Sequence, residues 1–232
     1  MKALLLLLKS KAAFTALSML VSVFAYALLW GWPYAVGFVA LIFIHEMGHF
    51  IAARQRGLAV GAPTFIPFVG AWIQLKDMPH DVETEAFVGL AGPVAGTAAA
   101  LACFELARWQ GSGLLLALAY SGFMLNLFNL LPISPLDGGR VTAVISPRLW
   151  LLGAPLLIGL FLWNPSPMFL VIALLAAPHF MAALKGNFDT AYYQNVPART
   201  RFNYGVAYLA LVAYLGAMTY SLHSQLEQMR HA

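Results

Sequence analysis

The apolar positions of this chain run in long blocks, with polar residues gathered between them. A membrane-spanning helix needs about 20 mostly apolar residues, because roughly 30 Å of hydrocarbon is crossed at 1.5 Å per residue. The stretch from Ala12 to His45 contains no Asp, Glu, Lys or Arg and is broken by Gly31-Trp32-Pro33. It divides into one helix from about Ala12 to Trp30 and a second from Pro33 to about Ala53. Further spans are expected over Ala86–Ala107 and Leu114–Leu131. The run from Leu149 to Leu184 is interrupted at Asn164-Pro165-Ser166-Pro167 and reads as a helical hairpin. Its first arm, Leu149–Trp163, is short for a crossing. Asn203–Leu222 closes the series. The pattern predicts an all-α polytopic membrane protein with six or seven transmembrane helices. The longest stretch outside helices runs from Gly57 to Glu85. Within it, Trp72-Ile73-Gln74-Leu75-Lys76 alternates weakly, as a strand does.

Composition sharpens this picture. Of 232 residues, 61% are hydrophobic and only 9% are charged, against about 25% charged in soluble domains. The mean hydropathy is +0.77. These values exclude a disordered chain, a coiled coil and most soluble folds. The net charge of +4 is not gathered into a basic patch, so no nucleic-acid partner is expected. Lys and Arg set orientation instead. Lys2, Lys9 and Lys11 place the N-terminus in the cytoplasm, and Arg54, Arg56, Arg140, Arg148, Lys185, Arg199 and Arg201 then fall on the same side. Arg108 falls on the other. Ala25-Tyr26-Ala27 resembles a signal-peptide cleavage site, but the apolar stretch around it is too long for one. Trp30, Trp32, Trp109 and Trp163 mark span ends, as an interfacial belt would. The single cysteine, Cys103, rules out internal disulfides and sits among packing residues.

Against this background the ionisable residues within spans stand out, because each is costly in hydrocarbon. His45-Glu46-Met47-Gly48-His49 is an H-E-x-x-H sequence inside the second helix. Positions i and i+4 share one helix face, so both imidazoles can reach one ion, and imidazole nitrogen suits zinc. Glu46 is rotated off that face, where its carboxylate can reach water at the metal without ligating it. A catalytic zinc takes a third protein ligand and keeps a position open. No candidate follows His49 closely. Asp137 is the best one, in Asn129-Leu130-Leu131-Pro132-Ile133-Ser134-Pro135-Leu136-Asp137-Gly138-Gly139-Arg140. The topology puts that segment at the depth of His45 and His49. Pro132 and Pro135 would break the helix and Gly138-Gly139 would let the backbone turn. On its own, Asp137 reads better as a cytoplasmic loop residue in a turn.

His-Glu-x-x-His in one helix, followed in a later one by Asn-x-x-Pro-x-x-Pro-Leu-Asp-Gly-Gly, resembles the site-2 protease family of intramembrane zinc metalloproteases. The likeness covers about Pro33 to Arg140. Ala91-Gly92-Pro93-Val94-Ala95-Gly96 is similar to that family's Gly-Pro signature, and Pro67-Phe68-Val69-Gly70-Ala71-Trp72-Ile73 to its membrane-associated β-loop. The resemblance implies His45, His49 and Asp137 as ligands of one Zn2+ and Glu46 as catalytic acid/base. It implies a three-helix catalytic core over 33–140, with a β-loop at 57–85, an N-terminal helix over 1–32 and further helices over 141–232. The substrate would be a transmembrane protein or peptide, cut in or near its membrane segment, as in regulated intramembrane proteolysis or the clearing of signal-peptide remnants. Asn129, or less suitably Asn126, would bond substrate backbone or oxyanion, and Gly70, Ala71, Trp72 and Ile73 would pair with an unwound substrate segment. The setting would be a prokaryotic cytoplasmic membrane with the site toward the cytoplasm. No loop has room for a PDZ domain, and Gly96 stands where some relatives carry Asn.

Other readings compete on chemistry. A di-iron oxygenase needs several histidine boxes, and this chain has six histidines and no His-His pair. A metal transporter needs ligands spread along a path rather than at one depth. A non-catalytic scaffold has no use for Glu46. Gly92, Gly96 and Ala99 give one helix a small-residue face suited to close packing. Glu105 and Arg108 read as a helix-end pair, and His179, after Pro178, as a packing residue or a gate. Oligomerisation is left open.

Overall fold

The structure, a computed structural model, describes residues 11–73, 79–163, 165–186, 192–193 and 195–231. Helix α1 (Lys11–Trp30) turns at Gly31, whose φ of 81° suits glycine, into α2 (Trp32–Gln55) with Pro33 in its first turn. A small antiparallel hairpin follows, β1 (Thr64–Ile66) and β2 (Gly70–Trp72), pairing Phe65 with Ala71. Residues 74–78 lie outside the described residues, so the expected strand beyond Ile73 is not traced. Helix α3 (Val82–Gln110) begins a turn before the expected Ala86. Asp81 accepts a hydrogen bond from the Thr84 amide at 2.7 Å, and Glu83 and Glu85 complement the helix dipole. Ser112 caps α4 (Gly113–Asn129). Then come α5 (Asp137–Ile145), a 3-10 turn at Pro147–Leu149, α6 (Trp150–Trp163), α7 (Pro167–Lys185) and α8 (Ala198–His231).

Five of these helices, α1, α2, α3, α7 and α8, are long and apolar enough to cross a bilayer, and α4 and the Pro147–Leu162 stretch are shorter apolar helices. Apolar side chains such as Leu28, Leu162 and Leu174 stand exposed around the bundle, which water would penalise and lipid does not. The chain is an integral membrane protein. Trp30, Trp32 and Trp109 are exposed at span ends. Glu105 and Arg108 form the expected pair, at 3.3 Å and exposed to solvent.

Helix α3 is the hub. It packs against α2, α4 and α5, while α8 runs along α4 and α5, α1 covers α2 and β1, and α6 and α7 lie on each other. Glycines set the close approaches. A Cβ at Gly48 would strike the Ala91 carbonyl of α3, one at Gly92 the His49 ring, and one at Gly96 the Asn126 amide. The small-residue face of α3 is thus occupied by side chains of the candidate site.

Between α4 and α5 the chain is irregular, with Leu130 and Ile133 buried. A carbonyl at its start and one in the first turn of α5 find partners on the later helices. The Tyr208 hydroxyl of α8 donates to Leu130 O at 2.6 Å, and Trp150 Nε1 of α6 donates to Gly139 O at 2.8 Å. Gly138 and Gly139 do not form the turn expected from Pro-Leu-Asp-Gly-Gly. Both lie inside α5, and a Cβ on either would strike backbone of residues 130–134. They permit contact between two backbone segments rather than a bend.

Candidate metal centre

His45 and His49 lie one turn apart on α2, and Asp137 is the first residue of α5. Their Nε2, Nε2 and Oδ2 atoms form a nearly equilateral triangle. His45 Nε2 to His49 Nε2 is 3.1 Å, and each nitrogen is 3.2 Å from Asp137 Oδ2. His45, His49, Glu46 and Asp137 are 3%, 7%, 8% and 8% exposed, so bulk solvent does not separate them.

The hydrogen bonds behind the rings decide what occupies the triangle. His49 Nδ1 lies 2.7 Å from the Val88 carbonyl, which can only accept. Nδ1 therefore carries the proton, and in a neutral ring Nε2 presents a lone pair. For His45 the partner is Asn126 Oδ1, at 2.8 Å from Nδ1. The orientation of that amide is fixed in turn, because Asn126 Nδ2 donates to Gly122 O at 2.7 Å. His45 is therefore the same tautomer. With both rings neutral in these tautomers, three acceptor atoms converge, an arrangement that asks for a cation. A tetrahedron with zinc–nitrogen bonds of 2.0–2.1 Å has edges of about 3.3 Å, close to the observed separations. The residues fit zinc.

Glu46 lies beside this triangle without joining it, and among the described residues its carboxylate has no hydrogen-bond or ion-pair partner. It faces a cavity of about 850 Å³ that also exposes His45, His49 and Asp137. The cavity extends along α2 from Tyr34 to His49, a helix rise of about 22 Å. Of the residues expected to meet a substrate, Asn129, Gly70, Ala71 and Ile73 line it. The Trp72 side chain lies outside the described residues. Asn126 does not serve as the alternative substrate donor, because it is 1% exposed and both amide atoms are engaged. It orients His45 instead. Its place three residues before Asn129 on one helix gave no means to tell the two roles apart. His179 also lines the cavity, with its ring edge-on to Trp150 at 5.4 Å and Nδ1 buried without a partner among the described residues. It takes no part in the metal triangle.

An H-E-x-x-H helix met by an aspartate from a separate helix, inside a bundle of apolar helices, makes a candidate metal centre in a membrane protein. Residues 33–121 match the profile of Peptidase family M50. The chain is 27% identical over 124 residues to the zinc metalloprotease MJ0392 of Methanocaldococcus jannaschii, over 51% of this chain and 35% of that one. It is 29% identical over 155 residues to the "Probable zinc metalloprotease EGY1, chloroplastic" of Arabidopsis thaliana, over 47% of this chain and 28% of that one. The chain thus spans about a third of the length of the curated relatives it matches. The solved structure of a site-2 protease from Methanocaldococcus jannaschii superposes with a TM-score of 0.47 at 20% identity, covering 74% of this chain and 87% of that one.

Proposed function

We propose that the protein is an intramembrane zinc metalloprotease that hydrolyses a peptide bond in or near the membrane segment of a protein substrate. The observation that carries this reading is the triangle of three atoms able to ligate a metal, with Glu46 at its side and unpartnered among the described residues, opening on a cleft among membrane helices. The relatives named as zinc metalloproteases support the same reading. His45, His49 and Asp137 hold the ion. Zinc bound there supplies Lewis-acid activation of water and of the scissile carbonyl.

The chain's own residues do the rest. Glu46 accepts a proton from the attacking water and returns it to the leaving amine. Asn129, at the cavity wall, donates to the substrate backbone or to the developing oxyanion. A helical substrate hides its peptide bonds and unwinds before cleavage. The exposed edge of β2 at Gly70–Ala71 meets the unwound strand and extends the β1–β2 hairpin. The Lys and Arg distribution supports an orientation in a prokaryotic cytoplasmic membrane with the N-terminus and the site toward the cytoplasm.

Purified wild type and Glu46→Gln, each analysed for metal and incubated with candidate membrane substrates, test the reading. One zinc per chain in both, with cleavage by wild type alone, is the expected result. A fully active Glu46→Gln protein overturns the mechanism. Zinc bound without cleavage of any membrane substrate favours a metal-binding scaffold or transporter, and two irons an oxygenase.

A further inference from the structure

The cavity wall holds one guanidinium with no bonded partner among the described residues, within electrostatic reach of Glu46. Arg140 lies on α5, three residues after Asp137, and lines the same cavity as Glu46 and the metal triangle. Its stem is held against α3, where Gly89 leaves room. A Cβ at Gly89 would stand 3.0 Å from Arg140 Cβ. Several other arginines are engaged. Arg201 donates to the carbonyls of Ile145, Tyr193 and Val196. Arg54 and Arg56 lie over the rings of Phe50 and Phe87, and Arg108 pairs with Glu105. The Arg140 guanidinium has no hydrogen-bond, ion-pair or ring partner among the described residues, although the residue is half-buried.

A guanidinium partly withdrawn from water and left unpaired is costly, and its five donors in a planar fork match a carboxylate. Apart from the triangle and Glu46, the cavity is lined largely by apolar groups such as Phe38, Ile42, Met124 and Phe128. An acidic side chain entering with an unwound substrate would therefore find one strong partner, at the end of the cavity where the peptide bond is cut. The geometry points to Arg140 as a specificity residue that binds a substrate carboxylate. The protein then prefers membrane segments with an Asp or Glu at a fixed, short distance from the scissile bond. This rests on the proteolytic reading above and narrows its substrate class.

The probe is a series of synthetic Leu/Ala transmembrane peptides carrying one Glu, or in matched controls one Gln or one Lys, at successive positions of one half. Binding is measured first, by energy transfer from labelled peptide to Glu46→Gln protein in phosphatidylcholine vesicles, so that it does not depend on turnover. Cleavage sites on wild type are then mapped by mass spectrometry. A charge-assisted bidentate pair in a partly buried site is worth roughly 1.5–3 kcal/mol. The expected preference for Glu over Gln is therefore at least about tenfold, with cuts at a constant offset from the Glu. Arg140→Gln erases the preference. Arg140→Glu turns it toward the Lys series, a reversal that misfolding cannot produce. Equal binding of Glu and Gln peptides overturns the assignment, as does a preference that survives in Arg140→Gln. Loss of the preference on adding phosphatidylglycerol also overturns it, because lipid phosphate would then hold the guanidinium. A Glu preference in binding with no cleavage of any peptide upholds the Arg140 assignment while refuting the proteolytic reading.

Discussion

Replacing Asn126 by Leu keeps the volume at the α3–α4 contact and deletes the acceptor for His45 Nδ1–H, now 2.8 Å from Asn126 Oδ1. Among the described residues no other acceptor is bonded to that nitrogen, so a buried N–H is left orphaned at a cost of about 1–3 kcal/mol. His45 can escape the penalty by turning its ring or by moving its proton to Nε2, and either removes a lone pair from the metal triangle. Losing the group behind a ligating histidine lowers metal affinity about 10–100-fold. That corresponds to about 1.4–2.8 kcal/mol, in line with the orphaned donor. Asn126→Asp keeps an acceptor oxygen for His45 but sets its second oxygen against the Gly122 carbonyl, to which the amide now donates at 2.7 Å, and is expected to restore only part of the zinc affinity. The assay is competition for zinc against a chromophoric chelator in detergent at neutral pH, with thermal melting of the apo protein as a fold control. If Asn126→Leu binds zinc within about threefold of wild type and melts normally, the tautomer assignment falls.

Gly92→Ala drives a methyl into the His49 ring; overpacking of this kind costs about 1–3 kcal/mol, and zinc affinity is expected to fall. Gly159→Ala on α6, where nothing lies within 4 Å of the added Cβ, is the neutral control. Ala71→Pro removes a backbone donor from β2 and is expected to cut cleavage severalfold while zinc content, by atomic absorption, stays at one per chain. Unchanged cleavage by Ala71→Pro would remove strand addition. The Tyr192 hydroxyl donates to Glu85 Oε2 at 3.0 Å, and burial, then the Glu85 charge, push its phenol upward. A phenol raised in the folded state stabilises the fold below its unfolded pKa of about 10, and that contribution is lost as pH rises further. The melting temperature of Tyr192→Phe should therefore fall less steeply than wild type above about pH 10. Identical slopes would show that the bond carries no linkage.

The helical spans could be read from the sequence because apolar length is a one-dimensional signal. The His45–His49 pair could be read because both ligands sit on one helix at a fixed period. Helix α3 began earlier than its apolar run because a cap, Asp81, and two acids at the positive end of the dipole extend it into polar sequence. Gly138 and Gly139 were misjudged for a different reason. A glycine that frees the backbone and one that admits a neighbouring backbone look alike in sequence, and only the position of residues 130–134 separates them. The same blindness hid Asn126. Its partner is 81 residues away, and the space for it is made by Gly96. Removing a side chain from one helix and placing an amide on the next leaves no local trace. Asp137 lay between these cases: chemistry named it as a candidate, resemblance chose it, and the geometry brings it to the two imidazoles.

The bonds from Tyr208 and Trp150 to the carbonyls of Leu130 and Gly139 bear on what can be inherited or engineered as a unit. The metal donors all lie between His45 and Asp137, yet the backbone that presents Asp137 is tied down by helices that contribute no donor. A chain cut after Arg140 would keep every reactive group and lose the hydroxyl and the indole that close the irregular stretch. In hydrocarbon, with no water to replace them, those two carbonyls would pull the segment toward other partners. The modular boundary drawn by reactive residues is therefore not the boundary of the smallest piece that can fold. Grafting the site into another bundle requires carrying the later helices with it.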